Sequence, residues 1–364
     1  MSKTLTPMIK PTRPAKPISI GHKLIGDGQA PFIIAELSGN HNQSLETALA
    51  LVDEAAKAGA DAIKLQTYTA DTMTLNTKAK GFVIEDKNSL WCGENLYALY
   101  EKASTPYDWH TVIFERAKAL GMLAFSSPFD ASAVDFLERL NVPCYKVASF
   151  ELTDVPLVRK VASTGKPMIM STGMASLSEI ELAVNTARSA GCEDIILLKC
   201  TSTYPAEATD TNLLTIPAIE ATFGCAVGLS DHTKGIGVSV ASVALGACVI
   251  EKHFVLDRSA GGVDADFSLE PQEFSLLSEE CKRAFDALGQ VHFGGTDNEQ
   301  KSKQFRRSLY VSESITAGEM LTPNNVKVIR PGYGLAPKHY DSVMGKTAKS
   351  ALSVGTPISW ELID

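Results

Sequence analysis

AVGLSDH (226–232) and CVIEKHF (248–254) are two short apolar runs, each carrying a histidine at its end. As neighbouring strands of one parallel sheet they would bring two imidazoles side by side, the outline of a metal site. Six further runs have the same form: FIIAE (32–36), AIKLQ (62–66), LAFSS (123–127), YKVAS (145–149), MIMST (168–172) and DIILLKC (194–200). Each is β-prone and ends in polar residues. Eight such strands predict a closed barrel.

The stretches between them have helical period, the βαβα alternation of a parallel sheet covered by helices. After the first run, Leu45, Ala48, Leu49, Val52 and Ala55 form an apolar stripe, Ser44 is placed to cap the N-terminus and Gly59 to end the helix. Ser176 and Glu179 form a capping box ahead of Ile180, Ala183, Val184 and Ala187, with Gly191 at the C-terminus. Residues 30–290 have the length of a (β/α)8 barrel, roughly 250 residues. A Rossmann sheet is the weaker alternative, because eight strands are present rather than six and no G-x-G-x-x-G follows the first.

The chain changes character from Phe305 to Asp364, where TAGEMLTPNNV (316–326), IRPGYGLAP (329–337) and LSVGTPIS (352–359) predict a small β-rich domain. The polar connector 289–304 reads as a linker able to reach another chain. Residues 1–17, basic and proline-rich, read as a disordered lead without the apolar run of a signal peptide. ISIGHKLIGDGQ (18–29) predicts a β-hairpin with an Asp27-Gly28 turn, plugging the barrel's base at the head of a barrel domain spanning 18–288.

The 364 residues are 45% hydrophobic and 21% charged, an ordinary globular composition. A net charge of −8 argues against a nucleic-acid surface, while a local basic pocket for anions remains compatible with it. No apolar stretch reaches the roughly 20 residues of a membrane span. Seven cysteines without a C-x-x-C pair read as reduced core thiols, which places the chain in the cytoplasm.

In a barrel, the strand ends deliver Glu36, Lys64, Gln66, Ser127, Lys146, Ser149, Ser171, Thr172, Thr201, Asp231, His232, Glu251 and His253 to one face. Two lysines among several hydroxyls suit a small dianion with phosphate and carboxylate oxygens. Two imidazoles completed by hard oxygen ligands suit Mn²⁺, with Co²⁺ or Mg²⁺ as replacements. Each residue also has an ordinary reading. Either lysine is a common salt-bridged strand end, the histidines are a hydrogen-bonded pair near a surface, and Glu36 is either a general base or a partner for Lys64. His41, in GNHN (39–42), reads as a loop-stabilising hydrogen bonder, and Cys200 as packing, with nothing nearby in sequence to lower its pKa.

At these residues the chain resembles the sialic acid synthase family, which condenses phosphoenolpyruvate with N-acetylated amino sugars. The carriers are FIIAELSGNHN (32–42), GADAIKLQTY (59–68), SSPFD (126–130), YKVASFE (145–151), STGMAS (171–176), GLSDH (228–232) and EKHF (251–254). RRSLYVSESITAGEML (306–321) and IRPGYGLAP (329–337) resemble the family's type III antifreeze-like SAF domain. Within the family, LSGNHNQSLE (37–46), KLQTYTADT (64–72) and ASFELTD (148–154) are similar to the pseudaminic acid branch. That branch implies 2,4-diacetamido-2,4,6-trideoxy-L-altrose as acceptor and a precursor of bacterial surface or flagellar glycans as product. Sialic or legionaminic acid synthesis is the alternative on the same scaffold, and a silent carbohydrate-binding protein the remote one.

The resemblance implies roles residue by residue. Lys64, Ser127, Lys146, Ser149 and Ser171 resemble the phosphoenolpyruvate cradle, Glu36 the catalytic carboxylate, Gln66 a residue that orders water, and His232 and His253 the metal ligands. Tyr204 and Asp264 resemble acceptor contacts. Arg330 resembles the arginine that the SAF domain inserts into a neighbour's site, which implies a domain-exchanged homodimer. Ser202 stands where sialic acid synthases carry an asparagine, which disfavours N-acetylmannosamine. Asp266 is an extra carboxylate in the acceptor region with no role assigned.

Overall fold

In this computed structural model, residues 16–26, 28–87 and 90–364 are described. Most of the N-terminal lead and Asp27 lie outside them. The chain divides into two compact units, one ending at Gly289 and the other running from Gln290 to Asp364.

In the first unit, a two-stranded hairpin of β1 (Ile18–Ile20) and β2 (Lys23–Ile25) precedes the barrel. Its turn is Gly21-His22 rather than Asp27-Gly28: pairing Ile20 with Lys23 leaves just two residues to reverse the chain, and Gly21 adopts the required positive φ of 56°. Ile18, Ile20 and Ile25 are buried in the main core, and Gly21 lies against Leu123 at the start of a barrel strand, so the hairpin covers the amino-terminal end.

Eight parallel strands follow: β3 (Phe32–Glu36), β4 (Ala62–Thr67), β5 (Leu123–Pro128), β6 (Tyr145–Val147), β7 (Met168–Ser171), β8 (Ile195–Cys200), β9 (Ala226–Asp231) and β10 (Val249–His253). They close into a barrel in sequence order, β10 pairing with both β9 and β3. Each arises from a run singled out by its apolar content. The strands are buried along their length, as expected when side chains fill one face and helices cover the other. Helix Leu45–Lys57 is capped by Ser44, whose hydroxyl accepts from the Thr47 amide, and helix Leu177–Ser189 carries the Ser176/Glu179 capping box.

Glycine at position 228 sets the approach of β9 to β10: a Cβ there would collide with the Val249 carbonyl oxygen. Gly228 pairs with Val249, and the same register brings Ser230 opposite Glu251 and Asp231 opposite Lys252. Alternation along both strands then sends Ser230, His232, Glu251 and His253 into the barrel and Asp231 and Lys252 toward the helices.

The second unit has its own core of Leu309, Val311, Ile315, Leu321, Val326 and Ile358, among others. Its strands β11 (Ser308–Val311) and β12 (Val326–Ile329) pair antiparallel, supplemented by single bridges such as Ile315 with Leu352. No helix among the described residues is long and apolar enough to cross a membrane. Six of the seven cysteines are buried and Cys92 is exposed, all as free thiols.

Candidate active site

The carboxyl ends of the strands open into a cavity of about 480 Å³. It is lined by Lys64, Gln66, Lys146, Ser149, Ser171, Tyr204, His232, His253 and Asp264, nine of the residues that sequence reasoning singled out. Glu36 and Ser127 are fully buried and are not among the lining residues. They lie behind Lys64, which forms an ion pair with Glu36 and sits 3.4 Å from Ser127 Oγ. Glu36 is thus a partner of Lys64, one of the two readings its position allowed.

Glu251 was legible as a strand-end residue but had no role assigned from sequence. Its carboxylate lies 3.6 Å from the Lys64 ammonium and 3.5 Å from that of Lys146, and accepts from Ser230 Oγ at 3.1 Å. The signal for it is period two: Glu251 must share the face of His253. Burial works against the Lys64 ammonium, but Glu251 and Glu36 outweigh it and hold its pKa above the ordinary lysine value. Burial lowers that of Lys146, with Glu251 opposing. For Glu36, burial lifts the carboxyl above its ordinary range while Lys64 pulls the other way. Two cations held by two carboxylates leave a site in which an incoming dianion competes for the same ammonium groups.

Buried polar atoms without a partner also face the cavity. Ser171 Oγ, Glu251 Oε2, Glu151 Oε2 and His253 Nδ1 have no hydrogen-bond partner among the described residues, and all four residues line the cavity. Unmade hydrogen bonds of this kind each cost about 1–3 kcal/mol, so four around one cavity point to a polar occupant. Glu151, unremarked from sequence, has its carboxyl pushed by burial to about 7. Ser149 Oγ meets Ser202 Oγ at 2.8 Å, which places the substituted acceptor position beside the cradle. The Tyr204 ring stands 4.6 Å from that of His232, and burial raises the pKa of its phenol.

The imidazoles of His232 and His253 have their ring centres 5.3 Å apart. His232 Nδ1 donates to the Thr201 carbonyl at 2.9 Å, which leaves Nε2 as a lone-pair donor for a metal. His253 Nδ1 is unpartnered and 3.7 Å from Asp264 Oδ2. No group of three or more His, Cys, Asp or Glu side chains is arranged to hold a metal among the described residues. The two adjacent imidazoles, one with Nε2 left free, are donors that a divalent cation accepts when oxygens from water and substrate complete its shell.

Several expectations are corrected. Asp231 does not face the cavity; its carboxylate accepts from Lys252 Nζ at 2.8 Å, Ser239 Oγ at 2.6 Å and Thr233 Oγ1 at 2.7 Å on the outer layer. Cys200 is buried, as its packing reading expects, and 4.0 Å from His232 Nδ1; burial raises its thiol, but His232 and Lys146 bring it down to about 7. Asp266 is exposed and pairs with Lys234 at 3.4 Å, outside this cavity. His41 makes the loop hydrogen bonds read from sequence, with Nε2 bonded to Thr105 Oγ1 and Nδ1 accepting from the Gln43 amide, each at 3.1 Å; burial holds its pKa at about 4. Arg330 belongs to the second unit, exposed directly after β12.

A parallel barrel whose strand ends gather lysines, carboxylates and imidazoles around one cavity has its polar site where (β/α)8-barrel enzymes carry theirs. The NeuB family model matches residues 51–293 and the SAF domain model residues 306–364. Pseudaminic acid synthase of Campylobacter jejuni is 47% identical over 324 residues, covering 89% of this chain and 94% of that protein. The pseudaminic acid synthase of Helicobacter pylori is 44% identical over 337 residues, covering 92% and 98%. A solved N-acetylneuraminic acid synthetase from Leptospira borgpetersenii, in complex with citrate, superposes with a TM-score of 0.71 at 33% identity, over 80% of this chain and 96% of that one. The chain belongs to the NeuB family and carries a SAF domain at its C-terminus.

Proposed function

We propose that this chain is a pseudaminic acid synthase that condenses phosphoenolpyruvate with 2,4-diacetamido-2,4,6-trideoxy-L-altrose, giving pseudaminic acid and phosphate. The observation that carries this reading is the convergence of Lys64, Lys146, Ser171, His232 and His253 on one cavity, in a chain whose relatives over some nine-tenths of its length bear that name. Membership of the NeuB family supports the reaction class, and Ser202 in place of asparagine supports the branch.

In this reading the Lys64 and Lys146 ammonium groups hold the phosphate and carboxylate oxygens of phosphoenolpyruvate, with hydroxyls from Ser149 and Ser171. Glu36 and Ser127 position Lys64 from behind. C3 of the enol forms a bond to the aldehyde carbon of the open-chain sugar, whose oxygen gains a proton and becomes a hydroxyl. The C2 cation that results is captured by water, ordered by Gln66, which gives up a proton. The C2–O bond to phosphate then breaks with its electron pair while the C2 hydroxyl becomes the ketone carbonyl and passes its proton to the departing phosphate, whose developing charge is held by the two lysines. Tyr204 and Asp264 hold the sugar. His232 and His253 would hold a divalent cation, Mn²⁺ with Co²⁺ or Mg²⁺ as substitutes, which would supply polarisation of the aldehyde oxygen.

The connector 289–304 and the exposed Arg330 support a homodimer in which each SAF domain lends its arginine to the partner's cavity. Buried free thiols support a reducing compartment, the cytoplasm. A product of this kind feeds surface or flagellar glycans. The metal assignment has a direct check: chelation is expected to stop phosphate release, and Mn²⁺ to restore it. Full turnover in chelated enzyme would contradict it.

A further inference from the structure

The cavity has two unlike ends. Its floor is the charged strand-end set, but its wall on the side of the excursion between β4 and helix Leu96–Ala103 is apolar. Met73, Ile84 and Trp91 come from that excursion, and Leu96, Leu99 and Tyr100 from the helix; all six line the cavity and are only half-buried. The described parts of the excursion are hydrogen-bonded to one another. Ile84 and the Gly93-Glu94 pair exchange backbone hydrogen bonds of 2.8 and 3.0 Å. Asn95 Nδ2 donates to the Thr77 and Phe82 carbonyls while its Oδ1 caps the helix. Trp91 Nε1 donates to the Val263 carbonyl at 3.1 Å, tying the wall to the loop that carries Asp264.

A hydroxyl pressed against such a wall would lose water and find no partner. We propose that this wall determines specificity at the far end of the acceptor, seating the C6 methyl of a 6-deoxy sugar and disfavouring a hydroxymethyl group there. The inference rests on the reaction proposed above. The new bond forms at C1, so C1 lies over the charged floor, and C6 of an extended open-chain hexose is the carbon farthest from it. The acetamido methyls at C2 and C4 are the sugar's other apolar groups, and both lie nearer the reacting end.

The test compares kcat/KM, by phosphate release, for the 2,4-diacetamido-6-deoxy acceptor, its 6-hydroxy counterpart and its N-formyl counterpart. Wild type, Ile84→Asn and Met73→Gln are each assayed. An apolar pocket rejects an added hydroxyl by at most about 100-fold, so wild type is expected to favour the 6-deoxy sugar by roughly 10- to 100-fold. Either variant is expected to cut that preference at least ~5-fold while the KM for phosphoenolpyruvate stays within ~2-fold, the pattern of a lost acceptor contact. Equal use of the 6-deoxy and 6-hydroxy sugars by wild type, or a preference unchanged in both variants, overturns the proposal. So does a variant effect confined to the N-formyl comparison, which would place the wall at the acetamido groups. Phosphate release from none of the sugars would instead overturn the reaction itself, and this inference with it.

Discussion

Lys64→Met is expected to lower stability by about 3–5 kcal/mol, the typical cost of removing one partner from a buried ion pair, and to abolish turnover. Glu36 is fully buried and Glu251 nearly so, and Lys64 is the cation in contact with the first and 3.6 Å from the second. Removing it leaves Lys146, 3.5 Å from Glu251, as the remaining counter-charge. Thermal or denaturant unfolding reads the first effect and phosphate release the second. Lys64→Met combined with Glu36→Gln separates them: with the excess carboxylate neutralised, most of the stability is expected to return while activity does not. Unchanged stability in Lys64→Met would show that the pair contributes nothing net, and activity in the double variant would remove Lys64 from the phosphate cradle.

His232→Ala is expected to fold and to lose metal-dependent turnover by a factor on the order of 10³ or more, since Lewis-acid stabilisation of an oxyanion supplies several kcal/mol and each 1.36 kcal/mol is tenfold. The ring's protein contacts include a hydrogen bond to the Thr201 carbonyl, the Cys200 thiol at 4.0 Å and packing against Tyr204, His253 and Phe267. Their loss costs about 1–3 kcal/mol, within the range of ordinary destabilising substitutions. Mn²⁺ binding followed by electron paramagnetic resonance gives a readout independent of turnover. The variant should leave the ion free at concentrations that saturate the wild type, and undiminished binding would contradict the ligand assignment.

The barrel is legible because each strand announces itself as an apolar run ended by polar residues. Glycine and capping residues mark the helices between, and the Ser44 and Ser176 caps form as their spacing requires. The hairpin turn was misplaced because Asp27-Gly28 is the stronger local signal, whereas strand pairing of Ile18 with Ile25 dictates a turn at Gly21-His22. Seven of the nine cavity residues emerge from strand-end position, Tyr204 and Asp264 only through the family resemblance, and position does not tell which face a side chain takes. Asp231 and His232 are adjacent in sequence and point to opposite sides. Applying the two-residue period would have excluded Asp231 and promoted Glu251. The thiol of Cys200 and the carboxyl of Glu151 take their pKa values from burial and from neighbours distant in sequence, which no local pattern records. The apolar wall is equally hidden, because the described residues between Thr74 and Asn95 form little regular structure and the sequence there has no repeat to reveal its partners.

Phosphate release from phosphoenolpyruvate, run in parallel with 2,4-diacetamido-2,4,6-trideoxy-L-altrose and with N-acetylmannosamine in the presence of Mn²⁺, tests the central claim most directly. Release with the altrose sugar and not with N-acetylmannosamine is the predicted result. Release with N-acetylmannosamine alone would contradict it and move the chain to sialic acid synthesis.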